Sequence, residues 1–167
     1  MRKILFILMM LLPVVAEAQM YRSNKAPKKK YSTSLISGNN EMELYKDSIV
    51  QFRLDMSFSS DFASLDLRNL TNHRIVVEWE NMKINGSHIM FSDDIVLFKN
   101  RPKSDETLTS HAIIFKDLYK RSNSLRSIVD KSKLKKEGYQ KLYFLVPIRS
   151  NGKVYDIETE WVVRKIK

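Results

Sequence analysis

A chain of 167 residues with a net charge of +10 and no cysteine is long enough for one domain that stands on its own core. The missing cysteines exclude a disulfide framework, a thiolate metal centre and a lipid anchor on cysteine. The four glycines are all isolated, which excludes a Gly-rich phosphate loop.

Arg2 and Lys3 precede an apolar run from Ile4 to Val15, broken once by Pro13, and Ala16-Glu17-Ala18 follows as a small-x-small site. This is the form of a secretory signal peptide over residues 1–18, with an uncleaved anchor as the alternative. The run is too short for a dependable membrane span, so the mature chain, starting at Gln19, has no transmembrane segment. Export without cysteine fits a bacterial envelope, with the protein periplasmic, secreted or at the cell surface.

Residues 19–40 carry five basic residues, among them Lys28-Lys29-Lys30, and no acid. Their polar, like-charged composition predicts a flexible basic leader, with the ordered domain spanning 41–167. Ser48 to Phe58 alternates strictly, with Val50, Phe52, Leu54, Met56 and Phe58 on one face, and predicts a strand with one wet face. Ala63, Leu65 and Leu67 alternate next, and Arg74 to Ile84 predicts a longer strand with Ile75, Val77 and Trp79 inward. Asn85-Gly86 predicts a tight hairpin whose paired residue numbers sum to 171. Ile95 to Phe98 and Leu108 to Phe115 read as two further strands.

The period changes after Phe115. Leu118, Leu125, Ile128 and Val129 recur at helical spacing, so a helical insert is expected over about 116–138, capped by Ser122 or Ser124 and stopped at Gly138. The chain closes on a second Asn-Gly hairpin at Asn151-Gly152, whose pairs sum to 303 and set Ile148 opposite Tyr155, Val146 opposite Ile157, Phe144 opposite Thr159 and Leu142 opposite Trp161. Pro147 falls at a non-bonded pair, so its missing N–H faces away from the hairpin partner. Strand 140–149 is therefore expected at a sheet edge, or bulged, on that side.

These elements predict an all-β protein: an antiparallel, immunoglobulin-like β-sandwich of about seven to eight strands with one short helical insert, a small β-barrel being the alternative. The pattern Leu67-x-Asn69-x-Thr71-x-x-x-Ile75-x-Val77-x-Trp79, with Phe62 before it and the late Leu145-x-Pro147-Ile148-x-x-Asn151-Gly152-x-x-Tyr155, resembles short exported proteins of Bacteroidetes-type bacteria with immunoglobulin-like folds. Those proteins are of unknown function. The resemblance implies a fold and export, and carries over no functional residue.

The candidate sites are surfaces rather than chemistry. His73, His88 and His111 share no metal-ligand spacing, and Asp93-Asp94 could join Asp105-Glu106 around calcium only if their loops adjoin, so no metal is expected. No nucleophile elbow is present, and neither catalysis nor a cofactor is expected. The segment from Lys116 to Lys136 concentrates Lys116, Lys120, Arg121, Arg126, Lys131, Lys133, Lys135 and Lys136, a surface for an acidic partner. Tyr143 and Leu145 are the outward apolar residues of the closing hairpin, and Pro147 marks its expected open side. The expected function is a non-catalytic interaction or structural module of a bacterial envelope or surface assembly, partnered by another envelope protein. The alternative is a binding module for an anionic polymer: acidic glycan, lipopolysaccharide or nucleic acid.

Overall fold

The computed structural model describes residues 28–91, 103–121 and 127–166. The expected signal peptide, the expected leader up to residue 27, Asp93-Asp94, the expected strand at Ile95–Phe98, the expected caps at Ser122 and Ser124, Leu125 and Arg126 lie outside the described residues.

In chain order, β1 (Tyr31–Ser37) turns into β2 (Asn40–Met42), followed by β3 (Tyr45–Lys46), β4 (Val50–Asp55) and β5 (Phe62–Asn69). Next come β6 (Ile75–Val77), a single 3-10 turn (Trp79–Asn81), β7 (Lys83–Ile84), β8 (Ser87–Phe91), β9 (Glu106–Leu108) and β10 (Ile113–Lys120). The helix α1 (Lys131–Glu137) then leads into the long closing strands β11 (Tyr139–Ser150) and β12 (Lys153–Lys165).

Among the described residues the fold is all-β and antiparallel, with one short helix. Its strands form one continuous sheet in the order β2-β1-β12-β11-β7-β8-β10-β5-β4-β3, with β6 beside β11 and β9 beside β6. The sheet is nearly closed. The N–H groups of Lys30 and Tyr31 both donate to Ser57 O, at 2.6 and 3.1 Å, and Met56 N donates to Thr33 Oγ1 at 3.1 Å. These bonds bring the start of β1 against the end of β4, so the sheet curls as the small-barrel alternative requires. At the other junction β8 pairs with β7 through only two residue pairs and with β10 through three.

The closing hairpin has the expected register throughout, while at Asn85-Gly86 only the two innermost pairs form and the same sum's outer pairs, Met82 with Ile89 and Glu80 with Phe91, give way to a 3-10 turn. Lys83 pairs with His88 and Ile84 with Ser87, and every β11–β12 pair from Tyr139↔Arg164 to Ser150↔Lys153 sums to 303. Asn151 (φ 50°) and Gly152 (φ 75°) take the two left-handed positions of a type I′ turn, which matches the twist of the flanking strands. Trp161 is fully buried opposite Leu142, and its Nε1 donates to Thr159 Oγ1 at 2.9 Å. Phe52 on β4 meets Phe144 and Trp161 at centroid distances of 5.8 and 6.2 Å, so this aromatic trio joins the two halves of the barrel.

Four expectations about the bounds of the elements are corrected. Tyr31 to Ile36, expected within a flexible leader over 19–40, are strand and add to the free side of β12, with Leu35 opposite Trp161 and buried. The strands outnumber the expected seven to eight because long runs are cut into pieces. Glu78 N donates to Pro147 O, and the 3-10 turn that follows carries Trp79 inward while splitting the run from Arg74 to Ile84 into β6 and β7. The helical insert does not begin at 116. Residues up to Lys120 continue β10, with Tyr119 paired to Phe62, and among the described residues of this span the helix is Lys131–Glu137. Its cap is Asp130, whose side chain accepts from the N–H groups of Ser132 and Lys133, and Gly138 at φ 79° ends it. Finally, the chain leaves β4 early. Asp55 accepts from Ser57 N in an Asx turn, which buries Met56 and leaves Phe58 exposed.

Pro147 is buried, and it marks no open edge. Strand β11 is flanked on that side by β6 at Ile148–Ser150 and by β7 at Phe144–Leu145. The missing N–H falls at the gap between these two short partners, which satisfies the proline without leaving the strand bare.

Candidate functional site

The barrel gathers chain ends from distant parts of the sequence at one pole. Tyr31 pairs with Lys165, Arg164 pairs with Tyr139, and Ile166 N donates to Lys30 O at 2.9 Å. The start of β1, the start of β11 and the end of β12 therefore lie side by side. Helix α1 ends at Gly138, directly before Tyr139, and rests on β11 through buried Leu134. The consequence is electrostatic. The exposed Lys28, Lys29 and Lys30 are carried to the same end as the exposed Lys133, Lys135 and Lys136, about a hundred residues later in the chain. Among the described residues these six lysines make no ion pair.

The other basic candidates are used differently. Arg121 donates to both oxygens of Glu80 at 2.7 and 2.9 Å, and this fork holds the Glu80 carboxyl down at about 2. Lys103 N adds a bond to the same carboxylate. Lys116 lies 3.2 Å from Glu106 and 5.4 Å from the Phe91 ring centroid, and Glu106 also accepts from Trp79 Nε1. These two cations pin the 3-10 turn and Trp79 to the wall of the barrel. Lys131 pairs with Asp61 at 3.3 Å across an exposed surface, a contact of small energetic weight. Lys120 is half-buried in the last β10 pair, opposite Ile89. The expected basic segment is thus two surfaces: a structural one along β10 and a free one on α1.

Next to the free lysines, the outer face of β11 presents Tyr139, Lys141 and Tyr143 at alternate positions. Tyr143 is 57 % exposed and Tyr139 44 %. With Lys133, Glu137, Gln140 and Asn85 they line a shallow groove of about 320 Å³. Lys141 is held 2.6 Å from Glu160 on β12, and this carboxylate raises the lysine's pKa. Leu145 is half-buried and faces a second groove with Glu158 and Glu160. Of the residues singled out on the closing hairpin, Tyr143 is therefore open to solvent, Leu145 partly so, and Pro147 not at all.

The polar groups that resemble chemistry have structural partners. His73 Nε2 lies 2.8 Å from Ser150 Oγ, but Ser150 is buried and no carboxylate meets the other ring nitrogen among the described residues. His88 Nδ1 lies 2.7 Å from Glu80 O, and His111 Nε2 lies 3.1 Å from Asn72 Oδ1. No group of three or more His, Asp or Glu side chains is placed to hold a metal ion among the described residues. Within the same residues no helix is long and apolar enough to cross a membrane.

Sequence reasoning separated the leader lysines from those of the insert, and it passed over Tyr139. The signal for their convergence was faint: Tyr31, Thr33 and Leu35 alternate, but their register with β12 is written nowhere locally. Compared with known proteins, the chain matches no family model, and neither curated proteins nor solved structures give a significant match.

Proposed function

We propose that this protein is an exported, non-catalytic interaction module of a bacterial envelope or surface assembly, docking an acidic surface of another envelope protein through the basic end of its barrel. One observation carries the reading: two lysine clusters far apart in sequence meet at one pole, with no acidic side chain paired to them among the described residues. Unneutralised like charges on a rigid frame cost self-repulsion, and an acidic partner relieves it. The test is cross-linking in the native envelope from a photoreactive group at the neighbouring exposed Glu137. A defined protein partner is expected, and it should be lost when Lys133, Lys135 and Lys136 are replaced by Glu. Recovery of no stable partner would count against the assembly.

A second reading, binding of an anionic polymer, is favoured by Tyr139 and Tyr143 beside Lys133, because aromatic rings stack on sugars and bases while lysines meet the charges. Polymer binding driven by counterion release weakens steeply with salt. Retention on heparin, DNA or lipopolysaccharide at ~50 mM salt, lost on the triple Lys→Glu reversal, is the expected result, and indifference to all three ends this reading.

A further inference from the structure

The sheet has a free edge, and it lies on β12 rather than β11. In the closing hairpin Ser150 and Lys153 form the hydrogen-bonded closing pair, so residues 153, 155 and 157 turn their backbone groups to β11. The N–H and C=O groups of Val154, Asp156 and Glu158 point the other way. Further along, β1 occupies that side, but its pairing runs only from Tyr31↔Lys165 to Ile36↔Glu160 before the chain turns away into β2. Among the described residues no strand covers Lys153–Glu158 on the side away from β11.

We propose that this edge receives an extended segment of a partner protein that carries basic side chains at alternate positions. Three features of the edge set the partner's chemistry. The five residues from Val154 to Glu158 are long enough for a short added strand, which gains main-chain hydrogen bonds from the exposed groups. Val154 is 55 % exposed and Tyr155 38 %, one on each face, so apolar contact is available on both sides. Asp156 and Glu158 are exposed, share the face of Val154, and make neither an ion pair nor a side-chain hydrogen bond among the described residues. Two unpaired carboxylates two residues apart, in a chain of net charge +10, select lysine or arginine at the directly opposed positions of the incoming strand.

A second copy of the chain fits poorly. Two β12 edges paired in full antiparallel overlap set Asp156 opposite Asp156 and Val154 opposite Glu158, which opposes like charges at the centre. The basic end of the barrel plays no part in this argument, so the edge stands or falls separately from it.

The test uses an acetylated, amidated heptapeptide alternating lysine with valine, and a counterpart alternating glutamate with valine. Amide exchange of the mature chain is read by NMR. With the lysine peptide at about ten times its Kd, exchange at Val154, Asp156 and Glu158 is expected to slow about tenfold, with no effect from the glutamate peptide. Asp156→Pro removes the central edge donor without touching a β11–β12 hydrogen bond, so it should abolish that protection while the hairpin amides stay protected. Asp156→Lys keeps the edge and should reverse the preference between the two peptides. Unchanged exchange with the lysine peptide overturns the proposal. So does slow exchange of these amides in the dilute protein alone, or protection that grows with protein concentration, since either result names another occupant.

Discussion

Asn69 is a polar side chain placed where only its hydrogen bonds justify it. It is fully buried, and its Nδ2 donates to His73 O at 2.8 Å and to Thr109 O at 2.9 Å, while its Oδ1 accepts from Thr71 N at 2.9 Å and Thr71 Oγ1 at 2.8 Å. One amide thereby joins the end of β5, the turn into β6 and the turn after β9. Asn69→Ala removes these four bonds and a longer one, 3.4 Å, from Nδ2 to Leu108 O. Thr109 O keeps the bond from Ala112 N, and the Thr71 hydroxyl hydrogen, released from Asn69 Oδ1, turns to His73 O, but Thr71 N is left without a partner. At a net of about 1 kcal/mol per bond, with a further cost for the stranded donor, the loss comes to about 4–5 kcal/mol. Domains of this size are stable by only about 5–15 kcal/mol in total, so the variant sits close to unfolding at room temperature. Urea denaturation followed by tryptophan fluorescence measures it, with m unchanged and the midpoint shifted far down. A loss under about 1 kcal/mol would refute the reasoning and assign Asn69 no more than a surface turn's role.

Acid sensitivity is expected to concentrate on Glu80. Arg121 holds the folded-state carboxyl at about 2 against an ordinary 4.5, so its stabilisation is present above pH 4.5 and is lost as pH falls through about 2. Glu80→Gln should therefore lower the melting temperature at pH 7 while converging on the parent near pH 2; parallel curves would exclude the ion pair as a source of stability. Asp130→Ala removes the cap of α1, leaving the N–H groups of Ser132 and Lys133 to water, and should cost about 1 kcal/mol and free Lys133, Lys135 and Lys136 from a fixed arrangement. Circular dichroism and thermal melts read it, and an unchanged melt would discount the cap. Gly152→Ala adds a Cβ that meets no atom within 4 Å, so its expected cost of roughly 1–2 kcal/mol is purely that of φ +75°. A neutral result would mean the turn relaxes to another type.

How far the fold could be read follows from where its information lies. The closing Asn-Gly hairpin was legible to the residue, because a two-residue loop sets register and face together, and Trp161 opposite Leu142 follows from arithmetic alone; at Asn85-Gly86 only the two innermost pairs follow the arithmetic, because the 3-10 turn takes Glu80 out of the strand. Closure of the barrel was not legible, because it depends on Tyr31 finding Lys165 and on Lys30 and Tyr31 finding Ser57, pairings with no local signature. The β10 residues were misread because Leu118 and the later Ile128 and Val129 are all buried, and their spacing happens to suit a helix. Trp79 was correctly inward but sits on a 3-10 turn, since Pro147 offers β11 no donor at that level. For the candidate site, the sequence displays eight cations and cannot show which are consumed: Arg121 meets Glu80 across 41 residues. The resemblance pattern through Asn69, Thr71 and Trp79 turns out to trace structural parts: a buried amide staple and an inward aromatic.

The clasp at Ser57 has a consequence for how this molecule breathes. One carbonyl oxygen receives both main-chain bonds that bring β1 to β4, while β8 is held by two pairs on one side and three on the other. The barrel is thus two strongly bonded half-shells meeting along two thin seams, and its sheet is continuous in connectivity but not in strength. Thermal opening will run along those seams, with the Ser57 clasp yielding first and the half-shells of β12–β11 and β5–β4 remaining intact. The Phe52–Phe144–Trp161 contact spans the gap between them, so dispersion among three rings, rather than the hydrogen-bond ladder, governs how often the shell opens.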